Sequence, residues 1–209
     1  MVLRAEHIFK KISGKDILVD INLEFESGKI YGICGKNACG KTMLLRALSG
    51  LMKIDSGCIF LDNKLLHKDF SILPNLGLTL ENAGMFPSLT GFENLKMLAK
   101  INGKIKNDEI RTAMKRVGLN SDDKRVYRKY SLGMKQRLAI AQAIMEYPDI
   151  IFLDEPTNGL DENGVILIRE ILQEERIRGA LILIVSHNKE DLEELCDKNI
   201  QIKDGRICI

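Results

Sequence analysis

The eight residues from Gly35 to Thr42 constrain the fold more than any other part of the sequence. They read Gly-Lys-Asn-Ala-Cys-Gly-Lys-Thr and fit G-x-x-x-x-G-K-[ST], the spacing of a phosphate-binding loop. An apolar run, Lys29–Cys34, precedes the loop, and a helical pattern over Lys41–Leu51 follows it. Glycines at the loop ends let successive N–H groups turn inward, and the positive end of the next helix points at the same anion. The sequence therefore predicts a strand–loop–helix unit that binds phosphate within an α/β fold.

The residues of this loop have separate expected roles. We expect Lys41 to bridge the β- and γ-phosphates of a nucleotide and the Thr42 hydroxyl to ligate Mg²⁺. Cys39 carries a thiol near a helix N-terminus, a setting that favours reactivity, although a small spacer is the simpler interpretation. The nucleotide-binding residues predicted in this segment are Gly35, Lys36, Asn37, Ala38, Cys39, Gly40, Lys41, Thr42 and Met43.

A second constellation is an apolar run that ends in two acids. Asp149–Leu153 is typical of a strand buried on both faces, and Asp154 and Glu155 follow it directly. Ligands of parallel α/β sheets bind beyond the carboxyl ends of the strands. There Asp154 can hold Mg²⁺, and Glu155 can orient and deprotonate a water molecule. Standing alone, two acids before Pro156 also fit an ordinary turn.

A third segment offers another anion site. Ser131 and Gly133 precede an amphipathic helix, where the serine can cap the helix and the glycine lets a ligand approach the backbone. The simpler alternative for this segment is a helix cap and nothing more.

The periodicity along the chain predicts the fold class. The first quarter is rich in strand patterns, the middle from about 86 to 135 has helical periodicity, and strand and helix patterns then alternate again. We expect an α/β core with a mostly parallel sheet flanked by helices, an N-terminal antiparallel β subdomain and an inserted α-helical subdomain. Asn107 or Asp108 is expected to cap one of the inserted helices.

Composition excludes several classes of protein. The 209 residues carry 31 Lys+Arg against 29 Asp+Glu, a net charge of +2, which is not typical of a dedicated nucleic-acid binder. Apolar runs such as Gly179–Val185 are far shorter than the roughly 18 residues of a membrane-spanning helix. The N-terminus lacks the apolar stretch of a secretory signal. Five scattered cysteines and three histidines predict reduced thiols rather than a zinc site. A soluble subunit that docks on a membrane protein remains compatible with all of this.

Taken together, the three segments resemble the nucleotide-binding subunit of ABC transporters. The stretch with Glu81 resembles in particular the bacitracin and multidrug-export type of that family. The phosphate loop resembles the Walker A motif, and Ile150–Glu155 resembles Walker B followed by the catalytic glutamate. Asn158–Asp161 resembles the D-loop, and Ser186-His187 resembles the switch histidine. The signature motif of the family is matched by Ser131, Leu132, Gly133, Met134, Lys135 and Gln136. The order and spacing of these motifs match over essentially the whole chain.

The resemblance implies a single ABC ATPase domain over 1–209. Its RecA-like core and β subdomain would comprise 1–85 and 136–209, and its helical signature subdomain 86–135. The cofactors would be ATP and Mg²⁺.

The resemblance also implies how the motifs work. Two such domains pair head to tail with two ATP molecules between them. Ser131 and Gly133 would contact the γ-phosphate of the ATP on the partner subunit, and Asp161 would link the two sites. Glu155 would be the general base, and His187 would contact the γ-phosphate in the same chain.

The implied partners are a separate transmembrane permease and a second ATP-binding subunit, in a homodimer or a heterodimer, without nucleic acid. The subunit would then lie in the cytoplasm, peripheral on the cytoplasmic face of the membrane, and export is the favoured direction. Met85, Phe86, Pro87 and Leu89 would form part of the groove that receives a permease helix. The same apolar set could instead be core of the helical insertion.

Three positions depart from the family pattern. Glu81 stands where many relatives have glutamine; it is expected to act in catalysis and as a ligand of Mg²⁺ or water, unless it is merely a surface acid. Ile12 stands where the family stacks an aromatic ring on adenine, which predicts weaker base selectivity. Ala38 replaces the central glycine of the loop, a small perturbation.

Two other functions are weighed against transport. A soluble ABC-type ATPase acting on nucleic acid or ribosomes would carry a long coiled coil or two nucleotide domains, and this chain has neither. A nucleotide-binding regulator without catalysis is disfavoured because Glu155 and His187 are both present.

Overall fold

A computed structural model describes residues 1–80 and 84–208 of the chain. Glu81 therefore lies outside the described residues. In chain order the strands and helices are β1 (Val2–Ile12), β2 (Lys15–Glu26), β3 (Ile30–Cys34), α1 (Lys41–Ser49), β4 (Ser56–Leu61), β5 (Lys64–Leu65), β6 (Leu76–Thr79), α2 (Gly91–Asn102), α3 (Asn107–Arg116), α4 (Leu132–Ile144), β7 (Ile150–Asp154), α5 (Glu162–Ile177), β8 (Leu181–Ser186), α6 (Lys189–Leu195), β9 (Lys198–Lys203) and β10 (Arg206–Cys208).

The strands form two sheets. The N-terminal sheet has the order β2-β1-β4-β5 and is antiparallel throughout. The central sheet has the order β10-β9-β3-β8-β7-β6, and every pair in it is parallel except the β9–β10 hairpin. The predicted α/β class, with its antiparallel N-terminal sheet and mostly parallel core, is confirmed.

The three inner strands of the central sheet, β3, β8 and β7, are buried at every position because both faces of the sheet are covered there. In β7, Ile150 and Phe152 pack into the hydrophobic cluster shared with α1 and the N-terminal sheet. The alternate residues, Ile151 and Leu153, pack into the cluster formed by helices on the other face. Successive side chains of a strand point to opposite faces, so one continuous apolar run supplies both clusters.

The helical middle lies where the sequence predicts it, with one correction. Thr90 caps α2 and forms a capping box with Glu93. The N-cap of α3 is Lys106, and Asn107 is already the first helical residue, so the predicted cap at 107 or 108 is wrong. The Glu109 carboxylate accepts a hydrogen bond from the Lys106 backbone N–H at 3.0 Å. This bond holds the start of the helix as a capping side chain would.

Helix α4 is continuous from Leu132 to Ile144, so the boundary proposed at 135/136 falls inside one helix, and the subdomain division stays a prediction. No helix in the described part of the chain is long and apolar enough to cross a membrane.

Candidate functional site

Three neighbouring strands bring the predicted motifs to one edge of the central sheet. Strand β8 lies between β3 and β7 and is parallel to both. Cys34 is in register with Ser186, and Asp154 is in register with Val185. The segments that follow these three strand ends therefore meet, as the sequence predicts for the phosphate loop, the acidic pair and His187.

The phosphate loop wraps around the side chain of Lys41. The ammonium donates to the carbonyl oxygens of Gly35 at 2.8 Å and Lys36 at 3.1 Å. Gly40, which precedes α1, has φ of 108°, and a Cβ there would lie 2.9 Å from the Ile17 carbonyl oxygen. Only glycine fits this position without strain. Ala38 adopts a left-handed φ of 62°, so the residue that replaces a glycine keeps a glycine-like backbone.

Thr42 and Asp154 bring two oxygen donors together. The Thr42 hydroxyl donates to Asp154 Oδ2 at 2.7 Å, and Asp154 is only 5% exposed. No group of three or more His, Cys, Asp or Glu side chains that could hold a metal occurs among the described residues. A hydroxyl and one carboxylate are nevertheless a typical protein contribution to a Mg²⁺ site, since Mg²⁺ takes its other oxygens from water and phosphate.

Glu155 is held by the last residue of β8 and by the residue that follows it. Its carboxylate accepts the His187 backbone N–H at 3.0 Å and the Ser186 hydroxyl at 3.3 Å, and it contacts His187 Nδ1 at 2.8 Å. Its backbone is left-handed, with φ of 50°, a conformation that non-glycine residues adopt where surrounding contacts hold it.

A cleft of about 420 Å³ lies over the phosphate loop. It is bounded by the loop and the start of α1, and by Asp154 and Glu155 on the opposite side. Ile17, Met43 and Arg46 also line it. Ile12 is not among the lining residues and is 40% exposed at the end of β1.

The serine-glycine segment lies away from this cleft. Ser131 caps α4, with its hydroxyl accepting the Met134 N–H at 3.2 Å. Leu132 is 63% exposed. None of the six signature residues lines the phosphate-loop cleft within the described residues.

A second cleft, of about 360 Å³, separates α4 from the acidic strand end. Lys135 and Gln136 line it from the helix side, and Asp154 and Glu155 line it from the sheet side. Leu80 also contributes to it, and Glu81, the next residue in the chain, lies outside the described part.

The D-loop candidate Asp161 begins α5. Its carboxylate accepts the Gly164 N–H at 3.1 Å and forms an ion pair with Arg137 at 2.8 Å. Leu132 packs over Gly159 so closely that a Cβ on the glycine would lie 2.4 Å from Leu132 Cδ2.

The apolar segment that begins at Met85 lies partly in the core and partly on the surface. Met85 is 8% exposed and belongs to the helix-side core, whereas Phe86 is 48% exposed. The buried amide of Asn94 exchanges hydrogen bonds with the Phe86 N–H and carbonyl.

Sequence reasoning missed two residues of this region. Arg46 lies four positions after Thr42 on a predicted helix, so helical periodicity alone could have placed it on the cleft side. Arg137 carries no local signal of its role, because its partner Asp161 lies more than 20 residues away.

Comparison with known proteins identifies a family. A family model described as "ABC transporter" matches residues 18–158. An uncharacterized ABC transporter ATP-binding protein of Bacillus subtilis, YybJ, is 47% identical over 99% of this chain and 94% of its own length. The bacitracin transport ATP-binding protein BcrA of Bacillus licheniformis is 40% identical over 99% of this chain and 68% of its own.

A solved structure shares the fold. The dimeric structure of MJ0796, a bacterial ABC transporter cassette, superposes with a TM-score of 0.88 at 23% identity, covering 98% of this chain and 96% of that one.

Proposed function

Since the chain belongs to the ABC transporter family, as one of its ATP-binding subunits with ATPase activity, we propose that it drives transport by hydrolysing ATP between two paired subunits. The observation that carries this proposal is the meeting of the phosphate loop, the Asp154–Glu155 pair and His187 at three neighbouring strand ends. We infer separate roles for the residues at this edge of the central sheet.

The phosphate loop binds the nucleotide. Its N–H groups and the N-terminus of α1 present positive dipole ends to the phosphates. Lys41 exchanges its two carbonyl partners for β- and γ-phosphate oxygens, which are stronger acceptors because they are charged. Residues 35–43 form this cradle.

Thr42 and Asp154 would hold Mg²⁺ when nucleotide is bound, and the ion would neutralise charge on the β- and γ-phosphate oxygens. The pair fits the ion because both donors are oxygens and already lie 2.7 Å apart. Glu81 is the remaining candidate for this role.

Glu155 acts as the general base. It lies at the border of the phosphate-loop cleft, where a water in line with the γ-phosphate can donate to its carboxylate. His187 orients that carboxylate through its backbone N–H and its ring, and the exposed ring can turn to the γ-phosphate.

A second subunit completes each site. Ser131 and Gly133 do not line the phosphate-loop cleft of their own chain, and a head-to-tail partner would bring this second helix N-terminus to the nucleotide. In the isolated protein that partner is a second copy of the chain. Asp161, the N-cap of α5, is exposed and pairs with Arg137 of α4, and it would link the paired sites.

ATP hydrolysis by the subunit would drive a separate transmembrane permease. The subunit would lie on the cytoplasmic face of the membrane. A groove of about 460 Å³ runs between the edge strand β6 and helix α2, with Ile101 78% exposed beside it. We expect a permease helix to contact this groove and the exposed Phe86. The direction we expect is export, as the resemblance of the sequence implies.

Glu155→Gln tests the proposal. Removing the base is expected to lower ATP turnover by about 100-fold or more, while ATP binding persists because the phosphate loop is untouched. Glu170→Gln, which neutralises an exposed carboxylate of α5, is the matched control and should hydrolyse ATP like the unmodified protein. Phosphate release and nucleotide titration measure the two effects. Undiminished turnover in Glu155→Gln would rule out this residue as the base.

A further inference from the structure

The first turns of α4 touch the segment from Glu155 to Asp161 at three points. Gln136 donates to the Glu155 carbonyl at 3.0 Å, Leu132 packs on Gly159, and Arg137 pairs with Asp161 at 2.8 Å. The contacts fall at the beginning, middle and end of the segment. The helix that starts with the signature serine thus holds the connection between β7 and α5.

The contact made by Gln136 falls on an unusual peptide. Glu155 has a left-handed backbone, with φ of 50°. Its N–H donates to the Val185 carbonyl at 2.8 Å, and its carbonyl accepts the Asn158 N–H at 3.2 Å as well as the Gln136 side chain. A strained backbone of this kind persists only where its surroundings over-determine it. The Gln136 side chain contributes to this from outside the turn, through its bond to the Glu155 carbonyl.

The direction of the Gln136 amide also matters. As a signature residue it is expected to contact ATP on the partner subunit, but its Nε2 is engaged with the catalytic segment of its own chain. Gln136 is partly buried and lines the second cleft together with Glu155. Gln136 therefore lies between the start of α4, which is one predicted anion site, and the acidic end of β7, which belongs to the other.

We propose that Gln136 is a positioning residue for Glu155, through which the signature helix controls the base of its own chain. The inference rests on the proposed role of Glu155. When the start of α4 engages a nucleotide across the dimer, the same helix fixes the backbone from which Glu155 reaches water. Occupancy of one nucleotide site would thereby affect hydrolysis at the other. Helix α4 is the rigid element that the two sites share.

The test removes the donor without changing the size of the side chain. Gln136→Met and the isosteric Gln136→Glu should each lower kcat by about tenfold or more, because a small displacement of a catalytic group is enough to do so. The affinity for ATP and the temperature of unfolding should stay close to those of the unmodified protein. Gln173→Met removes a matched bond, from Gln173 Nε2 to the Leu195 carbonyl at 3.4 Å, away from the site, and should leave kcat unchanged.

A double-mutant cycle separates positioning from general damage. If Gln136 acts through Glu155, Gln136→Met should change the residual rate of the Glu155→Gln protein by less than about twofold. A further large loss in that background, or a raised KM with unchanged kcat, would overturn the inference in favour of a structural role or of contact with the partner's ATP. Equal kcat for Gln136→Met and Gln173→Met would also overturn it. In each case turnover by the unmodified protein and its loss in Glu155→Gln would leave the proposed function standing.

Discussion

At the residue scale, the site depends on backbone conformations that side-chain patterns do not reveal. Ala38 and Glu155 are both left-handed, although neither is glycine. The phosphate loop could be predicted because eight consecutive residues determine a local geometry and the glycines permit it. The conformation of Glu155 could not be predicted, because it depends on Gln136 and Val185, which are distant in sequence.

Ile12, the residue predicted to cover the nucleotide base, can be tested by substitution. Ile12 is 40% exposed, so a larger ring has room there. We expect the unmodified protein to discriminate little between ATP and GTP, since an isoleucine covers a base without stacking on it. Ile12→Tyr should tighten ATP binding by about 1 kcal/mol or more, roughly fivefold.

Nucleotide titration of Ile12→Tyr checks this expectation. Ile177→Tyr is the matched control, because Ile177 is 85% exposed near the end of α5 and lies outside the cleft lining. A strong preference of the unmodified protein for ATP would show that another residue, such as the half-exposed Phe9, recognises the base.

At the scale of elements, periodicity predicted nearly every strand and helix. Strands such as β7 are apolar at consecutive positions because both faces are covered, and this pattern is visible without a structure. The start of α3 was misjudged because Glu109, two residues into the helix, provides the anchoring expected of Asn107. Caps of this kind depend on which group reaches the backbone, not on residue type alone.

The N-caps of α2 and α4 allow the effect of a cap on stability to be distinguished from an effect on ATP turnover. Thr90 caps α2 and Ser131 caps α4 through the same kind of hydroxyl-to-backbone bond, each 3.2 Å long. Thr90→Ala and Ser131→Ala should each lower the free energy of unfolding by about 1 kcal/mol. Only Ser131→Ala should also lower ATP turnover, by about tenfold or more, because a donor to the partner's phosphate is lost.

Chemical denaturation and phosphate release, measured on both variants, distinguish the two effects. Equal turnover in Thr90→Ala and Ser131→Ala would mean that Ser131 is a helix cap and nothing more.

At the scale of the whole molecule, a buried carboxylate ties the helical middle to the core. Glu175 is 2% exposed and pairs with Arg116, the last residue of α3, at 2.7 Å and with Arg178 at 2.8 Å. Burial acts to lower the pKa of Arg116, but its hydrogen bonds to Glu175 and Glu174 raise that pKa above its ordinary value. Arg178 also donates to the Pro148 carbonyl, so the network joins three segments. Nothing in the local sequence marks Glu175 among the other charged residues of α5.

Neutralising two adjacent carboxylates tests this connection. Glu175→Gln should lower the free energy of unfolding by about 2 kcal/mol, because two arginines lose a buried partner. Glu174→Gln removes a 66% exposed partner of the same Arg116 and should change it by less than about 0.5 kcal/mol. Urea unfolding of the two variants measures the difference, and equal effects would show that Glu175 does not hold the helical middle to the core.

Because the signature segment does not line the phosphate-loop cleft of its own chain, we propose that ATP is held between two chains. The mass of the Glu155→Gln protein in solution, measured by light scattering with and without ATP and Mg²⁺, tests this proposal. We expect the 23.6 kDa of a single chain without nucleotide and twice that mass with ATP. A mass that stays at 23.6 kDa while the same sample binds ATP would contradict it.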